Sequence, residues 1–436
     1  GNMTGNNWES KDLRKRYYYV LHFTKEQDNG QLKFVSNECR HYEYRRKIKE
    51  KARAIMKFRE NYQELAGRVL GIDASGQEIG CRPEVFARVF RVLKKHSLKV
   101  FEGNEYELPQ LKITYHVGED FLDVVDGLRA IDEAVRFLKM DCGDRLGHAL
   151  ALGIDAKEWY KLKGHHITLP LHDYLDNVVW LHHALIKFQI GDMSALKGWL
   201  EEQFSHYFTY IYKPQNTRID KAKFDINVYY LAWLLRGDKP SMYLSGEFRP
   251  TKVKADPWEH YAVCEEKRRK DDIRKIPEVA LLYHMYHYDA GVREKGSETS
   301  TRFISDLYVE GVTRVQRAMQ EMIVQRGIAV ELNPSSNLYI STFDHLSNHP
   351  IKNFYNLGLI KNEKELMECP QMNVSINTDA KAVFSTRLEN EYALLACAME
   401  DAAEDGKSRY KREFIYEWLD YIREMGLRQS FQRNEE

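Results

Sequence analysis

The sequence has no excess of charge of either sign. Lys and Arg together number 65, and so do Asp and Glu, so no global field draws the chain to nucleic acid or to a membrane surface. It also lacks any long apolar stretch. Runs such as RVLGI (68–72), FLDVV (121–125) and DNVVWL (176–181) stop far short of the ~20 residues that cross a bilayer. No basic segment followed by an apolar one opens the sequence, so secretion is not expected from it. The six cysteines, at 39, 81, 142, 264, 369 and 397, form no CxxC pair, as expected for reduced thiols in a cytoplasmic protein. The phosphate-cradling GxxxxGK[ST], the dinucleotide GxGxxG and the GxSxG elbow do not occur, which leaves ATP hydrolysis, dinucleotide redox and serine-hydrolase chemistry without support. Collagen, coiled-coil, disulfide-scaffold, membrane and disordered classes are excluded with them.

What is present is an alternation of short β-rich runs with helical periodicity along 436 residues, a length that suits two to three domains or one large barrel with an insertion. The first dozen residues are polar and read as a frayed end. RYYYVLHF (16–23) is aromatic and β-branched, as a buried strand should be, and 42–66 is an amphipathic helix. RVLGIDASG (68–76), KITYHVGE (112–119), DRLGHALAL (144–152), GIAVELNPSSN (327–337) and NVSINTDA (373–380) are apolar runs that end in polar residues. Helical stretches at 83–96 and 122–138 fill the spaces between the first of these. Such alternation argues for a parallel sheet with crossover helices.

The polar residues Asp73, His116, His148, Asn333 and Asp379 each sit just after an apolar run. In a (β/α)8 barrel, chemistry collects at the carboxyl ends of the strands. The intervals 73→116, 116→148 and 333→379 span 43, 32 and 46 residues, each about one unit of ~31 residues. The interval 148→333 spans 185 residues, far more than one unit, so 153–325 is expected to be a large, mostly helical insertion. The layout expected is barrel over 1–152, insertion over 153–325, barrel over 326–400 and C-terminal helices over 401–436. Only six strands can be counted where a closed barrel has eight, so the first two strands are expected to be missing from this chain.

His116 at a strand end, with Glu119 three residues on in YHVGE, suits metal-assisted proton transfer. His148 ends the next strand in RLGHA, and Asp379 ends the last in SINTDA as a hard oxygen ligand or base. Each alone is a weak signal; together, at successive barrel positions, they are a specific one.

The segments HVGE (116–119), RLGH (145–148), ELNPSSN (331–337), His349-Pro350, SINTD (375–379) and TRLENEY (386–392), preceded by GIDASGQE (71–78), resemble the adenosine/AMP deaminase family of the amidohydrolase superfamily. The resemblance covers about 16–150 and 326–400. It implies a metal-dependent TIM barrel, here without its first strands, that uses water to displace ammonia from C6 of an adenine nucleoside or nucleotide. It implies one Zn²⁺ per subunit held by His116 and Asp379, with Asp379 orienting the attacking water and His148 holding or deprotonating it. Glu119 would deliver a proton to purine N1, with Gly76 and Asp73 near the base. Two departures stand out. No HxH, the ligand pair of the family's first strand, occurs, and Ala380 and Lys381 replace that family's second Asp, a substrate contact, and its Pro. Either the base is held differently or deamination has been lost, leaving a scaffold that assembles subunits. The chain is also similar to the deaminase-like subunit of a prokaryotic antiviral system, RADAR, in being a deaminase barrel enlarged by insertions; this likeness implies an AAA+ ATPase as partner, and a helical, aromatic-rich insertion of this size suits the assembly surface of a homo-oligomer. Adenosine, AMP, ATP and adenine in RNA stay open as substrates.

Other signals favour ordinary structure. HMYH (284–287), with no third ligand nearby, reads as a chance spacing rather than a metal site, and His165, His166, His182 and His183 as surface or packing residues. The basic runs around 45–57 and 267–270 are interleaved with acids and read as solvated helix faces. Tyr229, Tyr230 and Trp233 recur at helical spacing, which suits core or subunit interface better than a base-stacking platform.

Overall fold

A computed structural model describes residues 17–28, 38–97, 108, 110–212, 223–250, 256–264, 272–340, 343, 345–379, 386–401, 403–404 and 407–431. Ala380, Lys381 and the basic run 267–270 lie outside the described residues. Eight strands carry the argument: β1 (Tyr19–Lys25), β2 (Val69–Gly76), β3 (Lys112–Val117), β4 (Arg145–His148), β5 (His166–Pro170), β6 (Thr299–Phe303), β7 (Ala329–Leu332) and β8 (Val374–Ile376).

Six of them form one sheet in the order β1-β2-β3-β4-β7-β8, with every pairing parallel. These are the six strands read from the sequence. β2 is buried on both faces through Ala74 and β8 along its whole length. Helices cover both sides of such a sheet, which is why its strands read as continuous apolar runs rather than alternating ones. The architecture is thus an α/β parallel sheet in sequential order. Among the described residues its edges, β1 and β8, are not joined, so closure into a barrel is not seen.

The helix Val124–Phe137 crosses from β3 to β4 and is buried on nearly all sides, because a further helix, Leu171–Lys187, packs on it. Burial of that kind forces its charges to be paired. Arg129, fully buried, bonds Asp126, Glu133, Asp176, Asp173 and Asn177. Asp123 caps this helix and also accepts from the hydroxyls of Tyr160 and Tyr308, joining the crossover helix to residues 156–162 and 306–325.

Residues 153–325 are mostly helical, and they also hold an antiparallel pair, β5 with β6, that the sequence reading did not anticipate. The alternating burial of HITLP is a strand signature, but its partner lies about 130 residues away, so no turn signal marks the pair. Trp233 and Tyr229 are buried core, His183 stacks on Tyr230, and His182 bonds Glu201. His287 is fully buried among the rings of Tyr283, Tyr286 and Tyr288, while His284 bonds the Tyr243 carbonyl. These histidines pack, as expected. All six cysteines are free thiols, and no described helix is long and apolar enough to cross a membrane.

Candidate active site

The carboxyl ends of β3, β4 and β8 bring three of the expected residues together. Ligand atoms of His116, His148 and Asp379 all lie within 4.8 Å of one another. Register explains the first pair: His116 stands opposite Gly147 and Val117 opposite His148 on adjacent parallel strands. The His116 and His148 ring centres are 4.9 Å apart. Gly147 makes this possible, because a Cβ there would sit 3.0 Å from the His116 backbone and ring. His148, the last residue of β4, and Asp379, three residues past the end of β8, both take left-handed backbone conformations, φ 61° and 56°.

The strand-end loops are tied together. Ala149 N–H donates to the Val117 carbonyl at 3.1 Å, and Ala151 N–H to that of Gly118 at 2.9 Å. Gln316 and Gln320, on the helix before β7, donate to carbonyls of residues 151–154 and hold the turn after His148 from behind.

Asp73 faces two histidines. One oxygen meets His116 Nδ1 at 3.0 Å and the other His22 Nδ1 at 2.9 Å. Burial would raise this carboxyl, but the His116 and His22 partners outweigh it and hold it well below the usual range. Burial likewise opposes the charge on His116, yet Asp73 raises its pKa to about 9. Asp73 thus fixes the ring through Nδ1 and leaves Nε2 as the atom that could take a metal, the arrangement that orients metal-binding imidazoles. Lys25 donates to the His116 carbonyl from β1.

Glu119 is raised to about 8, first by burial and next by the like charge of Glu78. Glu78 is held there by two backbone donors, Gly118 N–H at 2.8 Å and Glu119 N–H at 3.1 Å. Glu119 Oε2 lies 3.3 Å from His148 Nε2, and Asp379 Oδ2 3.9 Å from the same atom. Burial, and then the neighbouring His116, keep His148 neutral. Ser336 Oγ donates to Asp379 Oδ2 at 2.6 Å. Buried Glu391, from the TRLENEY segment, accepts from Ser335 N–H, Ser335 Oγ and Thr386 Oγ1, and so braces the start of the short helix Pro334–Ile340 that carries Ser336.

Gly76 ends β2 with φ 101°, a conformation that favours glycine; an added Cβ would meet nothing closer than 3.5 Å. A cavity of about 300 Å³ lies beside the strand ends, lined by Lys25, Glu78, Arg82, Tyr115, Asp120 and His172 among others, but not by the four converging side chains. Sequence reasoning assigned no role to His22, Glu78, Ser336 or Asn337. The last three lie inside quoted segments, so their position was visible although their partners were not.

A family model described as adenosine deaminase matches residues 302–408. The chain is 32% identical over 122 residues to an adenosine deaminase of Erwinia tasmaniensis, a match covering 25% of this chain and 33% of the relative. Over 132 residues it is 27% identical to an adenine deaminase of Marinomonas sp., covering 29% of this chain and 36% of the relative. It therefore spans about a third of the length of these curated relatives. A solved adenine deaminase from Arthrobacter aurescens aligns with 88% of this chain and 54% of its own, at 11% identity and a TM-score of 0.33.

Proposed function

We propose that this chain holds the metal-binding and proton-transfer residues of a zinc-dependent deaminase that releases ammonia from C6 of an adenine nucleoside or nucleotide. One observation carries this reading: His116, His148 and Asp379 converge at the ends of parallel strands with the Glu119 carboxyl, which burial pushes up to about 8, 3.3 Å from His148 Nε2. The similarity to adenosine and adenine deaminases supports it. The donors fit a zinc ion in part, since His116 Nε2, backed by Asp73, and the Asp379 carboxylate are suitable ligands. When bound, zinc brings the pKa of a coordinated water toward ~7.

The chain's own residues do the rest. Glu119, still an acid at neutral pH, delivers a proton to a ring nitrogen of the base, which makes the adjacent carbon electrophilic. His148 faces the attacking water and the oxygen that develops charge. Asp73 positions His116, and Gly76 lies where the base approaches the end of β2. Pairing with an AAA+ ATPase and a role in antiviral defence follow from the resemblance to the RADAR subunit, and the aromatic-rich, mostly helical 153–325 segment suits homo-oligomer assembly.

The test is zinc per chain measured together with ammonia release from adenosine, AMP, ATP, dATP and a short adenine-containing RNA. Near-stoichiometric zinc with ammonia from one member supports the reading and names the substrate. Glu119→Gln is then expected to abolish turnover while zinc stays bound; unchanged turnover would remove Glu119 from the mechanism. A second reading, a catalytically degenerate scaffold, draws on the short ligand set among the described residues. Metal-free, inactive protein would favour it.

A further inference from the structure

We propose that Asn337 and His349 are positioning residues that fix the tautomer of His148, leaving its proton on Nε2 and making it a hydrogen-bond donor to the site rather than a metal ligand or a resting-state base. Two backbone N–H groups, which can only donate, set the direction of the whole chain of bonds. Ile351 N–H donates to His349 Nδ1 at 3.1 Å, so in the neutral ring the His349 proton is on Nε2. That Nε2–H donates to Asn337 Oδ1 at 3.1 Å. Asn333 N–H donates to the same Oδ1, also at 3.1 Å. The Asn337 amide is therefore oriented twice over, and its Nδ2 faces His148 Nδ1 at 2.6 Å as a donor. His148 Nδ1 must accept, so the proton of the neutral ring is on Nε2.

This proton lies against acceptors: Glu119 Oε2 at 3.3 Å and Asp379 Oδ2 at 3.9 Å. The Asn333 side-chain amide, 3.1 Å from Nε2, presents its oxygen there after a half-turn of the amide. Asn337, His148 and His349 are all fully buried, so bulk water does not compete for these bonds. The relay joins the end of β4, the short helix Pro334–Ile340 after β7 and the His349-Pro350 pair, three separate segments that meet only in the fold. The consequence is specific. A ring that already carries its Nε2 proton steadies a developing oxyanion by donating to it and cannot take a proton from water at that atom.

Asn337→Asp reverses the relay almost isosterically. A carboxylate still accepts from Asn333 N–H and His349 Nε2–H on one oxygen, and its other oxygen accepts where the amide donated. The His148 proton then moves to Nδ1. The experiment is a long-range ¹H–¹⁵N spectrum of ¹⁵N-histidine-labelled protein, with His148 assigned by the loss of its signals in His148→Gln. The wild type is expected to show a protonated Nε2 and an unprotonated Nδ1, both as purified and with added Zn²⁺. The wild-type spectrum needs no variant, so a poorly folding Asn337→Asp does not block the test. A wild-type proton on Nδ1, or loss of the Nε2 proton on adding Zn²⁺, overturns the proposal. In Asn337→Asp the two nitrogens exchange character; an unchanged pattern also overturns it.

The kinetic arm alone rests on the deaminase reading. There, kcat in Asn337→Asp is expected to fall by about 10²-fold or more with KM little changed, whereas an unchanged kcat overturns the proposal. Wild-type protein that releases no ammonia defeats the deaminase reading, and the spectrum still decides the tautomer.

Discussion

Replacing Glu78 with Gln isolates the electrostatic part of the Glu119 site. Glu78 is 8% exposed and accepts the N–H groups of Gly118 and Glu119. Its charge stands second only to burial in raising Glu119 to about 8. At that value Glu119 is roughly 90% protonated at pH 7, because each pH unit is a factor of ten. Gln keeps the volume and the burial and removes the charge. A like charge a few Å away, at an effective dielectric near 20, is worth on the order of 2–4 kcal/mol before screening. One pKa unit is about 1.4 kcal/mol, so Glu119 in Glu78→Gln should titrate at about 5–6.5, and no more than about a quarter of it would stay protonated at pH 7. The sign is fixed, since removing a like charge favours the carboxylate.

The assay is ¹³C NMR titration of glutamate carboxyl carbons in metal-stripped protein, with Glu119 assigned from Glu119→Gln. Gln can satisfy only one of the two backbone donors, so a loss of about 1–3 kcal/mol in stability should accompany the titration change. If Glu119 in the variant still titrates near 8, or higher, burial alone holds it and the electrostatic reasoning fails.

Two further outcomes follow from the packing and the charges. Gly147→Ala places a methyl 3.0 Å from the His116 backbone and ring and should tilt the imidazole off Asp73; zinc affinity is expected to fall about 10–100-fold, with secondary structure retained by circular dichroism, and unchanged affinity would count against this packing role. Asp132 is opposed by burial but held at about 2 by Arg136, Lys187 and Trp180. A depressed carboxyl stabilises the fold above its unfolded value of ~3.9, and that stability is lost as pH falls through about 2, amounting to about 2–3 kcal/mol; urea unfolding of Asp132→Asn against wild type should show a gap at pH 7 that closes toward pH 2, and a constant gap refutes the linkage.

How far the sequence reached depends on distance along the chain. The six parallel strands were legible because a strand buried on both faces is a local apolar run. His116, His148 and Asp379 were legible because each ends such a run, and parallel strands all end at the same edge of the sheet. The β5–β6 pair was not, since its halves lie about 130 residues apart with no turn between them to mark it. Nor was the reach of Asp123 to Tyr160 and Tyr308.

The amino-acid sequence by itself thus determined which side chains stand at the mouth of the sheet. Only the tertiary structure decided their states. The raised carboxyl of Glu119 depends on Glu78 from another strand-end loop, the charge on His116 depends on Asp73, and the direction of the bonds at His148 depends on Asn333, Asn337 and His349. The physical reason is that placing a residue at a strand end needs only local periodicity. A pKa or a tautomer is set by groups within a few Å, and those groups arrive from distant segments only when the chain is folded.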